Sequence, residues 1–555
     1  MSIPQHTRII IGFVALLLIT TSAVRSWEQT PWGISAPDPA GQVRYGSLSN
    51  PSDTLCYLAF AEQSAQGQLL FENLYTTEPQ RPALFNLFFM LAGKIARLTG
   101  TSASFAYSLL GTIGACVAVV ATLRCAQILG LAAFGQACVG ALLLWSAGLS
   151  WLHYAVPEVH GFKLPMGTDL SFMDLVPSLS FQVYPLHSFA FGATASLLML
   201  ILLAERRLRQ NDTIHTTIVP WLAFVAFLIG LTRPYEPIAL TFVYLCYCSG
   251  MALTEGSRCL RPRLPILVAI ALGFAPGLLY NMWVAHQPVW SNFARDAASL
   301  TIPKVSSLIG FGILWAPAFI GIAITWNQRP SSWRLLSIWM LFAMLLMLAF
   351  NTGRIKLAGG SFLALALLNA RALEFVWQRS THTSSLRLTC LRSVVTVFFA
   401  LGFPTLPVFL ATARAEIPEV DSELLALIKE IRHSSNSASP AVLAPAEVGA
   451  VFAGLGGFHT YAGHWSLTPN FRSKVLRLDE LGFESLAPSE AHTGQRLEAL
   501  LRDSHTDFVV VKSAAPVLPY LSRSPSLRPL VSLSRWSCFK VQAAPDDFKA
   551  APPAK

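Results

Sequence analysis

Eleven apolar runs punctuate the first three quarters of this 555-residue chain. They fall at residues 8–24, 104–123, 130–150, 184–204, 217–232, 236–253, 264–284, 305–325, 333–350, 359–377 and 391–411. A helix needs about 20 apolar residues to cross a hydrocarbon core. The pattern therefore predicts an α-helical polytopic membrane protein with about 11 transmembrane helices. The first run follows a short head bearing Arg8. A signal peptide is one reading, given the small residues around Ala23, but an uncleaved span with an inner amino terminus agrees with the topology below. Residues 26–103 then form a long outer loop.

The pattern changes after residue 414. Leu424–Ile431 has helical spacing, AVLAP (441–445) and DFVVVK (507–512) read as short strands, and CFKV (538–541) as a third. A helical stretch around 490–502 separates them. This alternation predicts a small C-terminal α/β extracytoplasmic domain over 415–545. The Pro/Ala-rich segment 546–555 reads as a disordered tail, and residues 1–414 form the transmembrane domain.

Charge orients the chain. The loops assigned to the inner side hold thirteen cations, among them Arg206, Arg207, Arg209, Arg258, Arg261 and Arg263; the short outer loops hold six. Cations favour the cytoplasmic face, so both the first outer loop and the terminal domain lie outside (N-in/C-out). Composition agrees: 53% hydrophobic and 13% charged residues, with mean hydropathy +0.50, exclude a soluble globular protein. The formal charge of +10 is not a nucleic-acid footprint. From residue 415 onward there are 14 Lys/Arg against 15 Asp/Glu, so the surplus sits in topology-fixing loops. The nine cysteines show no metal spacing, and Cys56 and Cys538 alone are weak grounds for a disulfide.

Residues 50–100 carry the candidate chemistry. Asn50 suits a helix N-cap, Pro51 the first helical position, and Asp53 the third. Read alone, Asp53 is an acid that starts a helix. Its context goes further: Tyr57 follows one turn later, Glu62 beyond it, and a polar turn, NLYTTEPQR, spans 73–81. A helix over 82–98 sets Leu84, Leu87, Phe88, Leu91, Ile95 and Leu98 on one side, with Asn86, Lys94 and Arg97 elsewhere. Such a helix lies in the headgroup plane; the alternative is an ordinary packed core helix.

Asp53-x-x-x-Tyr57, Gly67, the 73–81 turn and the surface helix together resemble the C-type glycosyltransferases, in the style of the protein mannosyltransferase-like and lipid A aminoarabinosyltransferase-like bacterial branches. The resemblance implies a multi-pass enzyme of the bacterial inner membrane. Such an enzyme moves a sugar from a polyprenyl-phosphate carrier to an acceptor hydroxyl on a lipid, glycan or protein, outside the cytoplasm. It implies Asp53 as the general base. The chemistry needs such a group, because the acceptor must lose a proton and the departing phosphate needs positive charge. A carboxylate opposite the leaving group suits inversion of a hexosyl or pentosyl carbon. One departure stands out: relatives carry two adjacent acids where this chain has Asp53-Thr54. That puts a paired-acid or metal role in doubt, so no cofactor is called for, although a divalent metal stays open.

Further substrate-binding candidates are Tyr57, Arg81, Asp169, Arg354, Lys356, His464 and Trp465. Arg354 and Lys356, in NTGRIKLAGG, suit a phosphate; snorkelling anchors are the alternative. Asp169 is the preferred acid of the second outer loop, 151–183, against a plain solvated loop. His464 and Trp465, in GGFHTYAGHWSLTPNFRSK (456–474), read either as an acceptor platform or as a structural turn. Arg233, in LTRPYEP, reads first as a turn. Two other classes remain: a transporter and a non-catalytic scaffold. Arg371 and Glu374, the nearest to an intramembrane pair, are spaced to satisfy each other.

Overall fold

The computed structural model describes residues 4–27, 41–44, 51–146, 177–210, 217–292, 311–326, 332–349, 353–380, 385–402, 419–437, 439–484 and 493–542. Helix α1 (Gln5–Trp27) occupies the first apolar run. The loop after it holds a short strand, β1 (Gln42–Arg44), and two helices, α2 (Pro51–Ala65) and α3 (Leu87–Thr99). Next come α4 (Ala103–Ile128), α5 (Ala133–Trp145), the short α6 (Pro177–Val183), α7 (Pro185–Arg209) and α8 (Ile218–Gly230). The bundle continues through α9 (Tyr235–Glu255), α10 (Leu264–Ala285), α11 (Trp315–Trp326), α12 (Ser332–Ala349), α13 (Ser361–Ser380) and α14 (Ser385–Gly402). A helix thus stands at every apolar run. Among the described residues six, α1, α4, α7, α9, α10 and α12, are long and apolar enough to cross a membrane.

Small residues set the tightest crossings. A Cβ on Gly192 of α7 would sit 2.4 Å from the Gly114 carbonyl oxygen of α4, and one on Gly277 of α10 would sit 2.4 Å from the Gly230 backbone of α8. Where lipid removes the hydrophobic drive between helices, such backbone approach supplies the packing. One buried charge is fully answered. Glu205, near the C-terminal end of α7, accepts from Arg263 Nε (3.0 Å) and Nη2 (2.9 Å) and from the hydroxyls of Tyr244 (2.7 Å) and Tyr247 (3.0 Å). This ties α7, α9 and α10 together, and four donors are what a desolvated carboxylate requires. Glu374 behaves differently from the expected pairing with Arg371. It accepts from the Ala132 N–H at 2.9 Å and from Gln378 at 3.1 Å, which caps the start of α5.

The terminal segment begins with β2 (Glu419–Asp421), α15 (Ser422–Ser434), β3 (Ala441–Leu443), α16 (Ala446–Gly456) and β4 (His459–Thr460). It ends with α17 (Phe471–Glu480), α18 (Thr493–Ser504), β5 (Phe508–Lys512), α19 (Leu518–Arg523), β6 (Leu527–Ser532) and β7 (Trp536–Val541). Five strands form one sheet in the order β4-β3-β5-β7-β6. The β4/β3 and β3/β5 pairs are parallel, and the β5/β7 and β7/β6 pairs antiparallel. The expected helices and strands are all present, and the sheet makes an α/β unit.

This unit and the first loop share a core. Leu55, Phe60, Phe71, Tyr75 and Phe88 are buried in one cluster with Val451, Phe452, Phe458, Phe508 and Trp536. β1 pairs antiparallel with β2, joining residues nearly 380 positions apart. α2 lies against α16, where a Cβ on Gly454 would come within 2.7 Å of the Leu55 side chain. The helix expected over 82–98 starts instead at Leu87. Asn86 is its cap, accepting from the N–H groups of Phe88 and Phe89, while Leu84 pairs with Phe71 in a β-bridge. The side it turns to the protein includes its small residues. Phe88, Phe89, Ala92, Gly93 and Ala96 face inward and Leu98 is 85% exposed. The reason is steric: α3 crosses α2 so closely that a Cβ on Gly93 would lie 2.3 Å from Ser64 Cβ.

Gly93→Ala should therefore lower the unfolding midpoint of the detergent-solubilised protein, by about 1–3 kcal/mol of overpacking. Gly250→Ala, where an added methyl meets nothing within 4 Å, should leave it unchanged.

Candidate active site

Asp53 stands at the third position of α2, in the first helical turn. Asn50, its expected cap, lies outside the described residues. The Asp53 side chain is 21% exposed, and its Oδ1 lies 2.9 Å from Nε2 of His464, whose side chain is 3% exposed. The two residues come from opposite ends of the chain. Around the imidazole, the Tyr75 ring meets it edge-on at 5.6 Å and Trp465 stacks beside it at 5.9 Å. Tyr57, one turn beyond Asp53, stacks on Phe89 at 5.4 Å and leans on Tyr107 of α4 at 6.3 Å. Cys56 is buried under the same turn; burial first, and then the Asp53 charge, push its thiol well above its ordinary range. Cys56 and Cys538 are both buried and free, so the weak disulfide reading falls away.

The partners meet because residues 72–78 of the first loop run beside β4. The Thr460 N–H donates to the Leu74 carbonyl at 2.8 Å. Asn73, fully buried, donates to the carbonyls of Leu467 (2.7 Å) and Val289 (3.3 Å) and accepts from the Tyr75 N–H. Two further acid–base pairs flank the first. His459 Nε2 lies 3.0 Å from Glu72 Oε2, and Lys474 Nζ lies 3.0 Å from Glu78 Oε1. Each sets an acid of the first loop against a base of residues 459–474. At its far end the loop is fixed to the bundle: Asn86 Nδ2 donates to the Thr232 carbonyl at 3.1 Å, and the Tyr280 hydroxyl donates to the Ala83 carbonyl.

The remaining candidates fall as follows. Arg81 is exposed. Lys356 is half-buried in a short 3-10 segment, Gly353–Ala358, that packs against α9. Arg354 belongs to that segment, but its side chain lies outside the described residues, and so does Asp169. Arg233 forms a buried ion pair with Glu236 at 3.1 Å, and Glu236 lies against Gly359 just past Lys356. The structure thus brings the late outer turn to the Arg233 junction, to which α3 is also tied. Sequence reading missed Asn73, which holds backbone carbonyls, and Ser466, whose N–H and hydroxyl face Nδ1 of His464; only the polar character of their segments hinted at either. Among the described residues no three His, Cys, Asp or Glu side chains gather in a metal-holding group. Asp53 and His464 alone make two.

The fold is similar to that of two solved membrane proteins. The archaeal oligosaccharyltransferase AglB from Archaeoglobus fulgidus, solved with an inhibitory peptide and a dolichol-phosphate, superposes with a TM-score of 0.53 at 11% identity, over 90% of this chain and 69% of that one. ArnT from Cupriavidus metallidurans, bound to undecaprenyl phosphate, gives a TM-score of 0.52 at 11% identity, over 96% and 97%. No protein-family model and no curated protein matches the sequence.

Asn73→Ala should orphan two carbonyls and the Tyr75 N–H at once and cost about 1–3 kcal/mol. The check is the unfolding midpoint, with limited proteolysis of residues 456–474 read alongside.

Proposed function

We propose that the protein is a membrane glycosyltransferase in which Asp53 is the general base. It takes the proton of an acceptor hydroxyl as that oxygen bonds the anomeric carbon and the bond from that carbon to the carrier phosphate breaks. The observation that carries the reading is the placement of Asp53. It is a partly exposed carboxylate at the meeting of α2, α4 and the terminal unit, held by a buried histidine. The neighbours support the donor class: ArnT was solved with undecaprenyl phosphate and AglB with a dolichol-phosphate. The leaving group here is accordingly a polyprenyl phosphate, and hexosyl or pentosyl transfer with inversion follows from a base opposite it.

Arg354 and Lys356 are the cations for that phosphate, with Arg81 a further contact, while Tyr57, Asp169 and Trp465 line the sugar and acceptor. The acceptor is a lipid, glycan or protein hydroxyl. The reaction runs on the extracytoplasmic face of the bacterial inner membrane, because the cation bias puts the first loop and terminal unit outside.

Asp53→Asn keeps the shape and the acceptor oxygen facing His464, so the variant should fold. Sugar transfer in lipid vesicles from undecaprenyl-phosphate-linked glucose, mannose, galactose or aminoarabinose should fall about 100- to 10,000-fold. Undiminished transfer by the folded variant would remove Asp53 from the role of base.

A further inference from the structure

His464 faces Asp53 with one nitrogen and its own chain with the other. Nδ1 lies 3.3 Å from the Ser466 backbone N–H, within a geometry in which that group donates, and 3.1 Å from the Ser466 hydroxyl. A backbone amide can only donate, so Nδ1 holds the lone pair. The ring proton therefore sits on Nε2, which donates to Asp53 Oδ1 at 2.9 Å. Protonating Nδ1 as well would set two N–H groups against each other at a residue 2% exposed. Tyr75 and Trp465 fix the ring plane. The backbone that carries it is seated on the first loop: a Cβ on Gly463 would come 2.7 Å from the Tyr75 ring.

We infer that His464 is a positioning residue for this reaction, through which the terminal unit orients the carboxylate of Asp53. The inference rests on the reading of Asp53 as base. A neutral donor holds one carboxylate oxygen without the full positive charge that would weaken the group as a base. His464 itself gains and loses no proton in the step. It holds Oδ1 and thereby sets the plane in which the carboxylate meets the acceptor. Ser466 is the reason the tautomer is fixed, since its N–H occupies the other nitrogen.

Two substitutions separate orientation from bulk. His464→Gln keeps an N–H donor at the reach of Nε2, and His464→Leu keeps volume without a donor. Transfer is measured in vesicles with the same four undecaprenyl-phosphate sugars, beside wild type and Asp53→Asn, with unfolding midpoints taken in parallel. His464→Gln should stay within about threefold of wild type. His464→Leu should lose about 10- to 100-fold in kcat/KM, the scale of a hydrogen bond to a charged group. Equal losses in both variants would mean a structural role only, and an unimpaired His464→Leu would mean no role; either overturns the inference. Activity in Asp53→Asn would instead overturn the base itself. Nitrogen-15 NMR of labelled histidine reads the contact without turnover. The resonance lost in His464→Gln should show Nε2 protonated and Nδ1 bare, and the opposite tautomer would also overturn it.

Discussion

The structure depends on a seam: the first long loop is packed and hydrogen-bonded to the segment between β4 and α17. A carboxylate on an isolated helix turn would be a solvated surface acid. Here a buried imidazole meets Asp53, the Tyr75 ring fills the space above Gly463, and buried Asn73 spends its amide on two carbonyls that water cannot reach. Because buried polar groups are costly when unpaired, this arrangement resists sliding. The charge pairs on either side, Glu72 with His459 and Glu78 with Lys474, add register more than energy, since partly exposed pairs are weak.

The membrane-embedded part has a different logic. Its helices approach through glycine where α4 meets α7 and where α8 meets α10, and the carboxylate of Glu205, near the C-terminal end of α7, accepts from Arg263 and two tyrosines. That network fastens three helices on the side away from the candidate site. On the opposite side α3 is pinned to the turn before Arg233 and to Tyr280. The first loop is thus clamped between bundle and terminal unit.

Most of the architecture was legible in the chain, because the signals are local. Apolar runs locate the helices, period-two and period-3.6 patterns locate the elements of the α/β unit, and Pro51 and Asp53 mark the start of α2. What spacing left open is also physical. The apolar pattern of α3 runs along its largest residues, Leu84 to Leu98, while the contact with α2 falls on the small residues around Gly93, because crossing at backbone contact favours the smallest side chains. Glu374 was paired by spacing with Arg371, yet its bond is to the start of another helix, and i, i+3 geometry cannot register a partner from elsewhere in the fold.

What the sequence by itself determined is the kind of molecule: a helical membrane bundle, a loop bearing an acid at a helix start, and a terminal α/β unit, all set by periodicity and composition within a few turns. Only the tertiary structure decided that Asp53 and His464, separated by 411 positions, form one site. Hydrophobic pattern specifies which faces are buried but not against what. The partner of a side chain across the fold is chosen by shape and hydrogen bonding, and these exist only once the seam has closed.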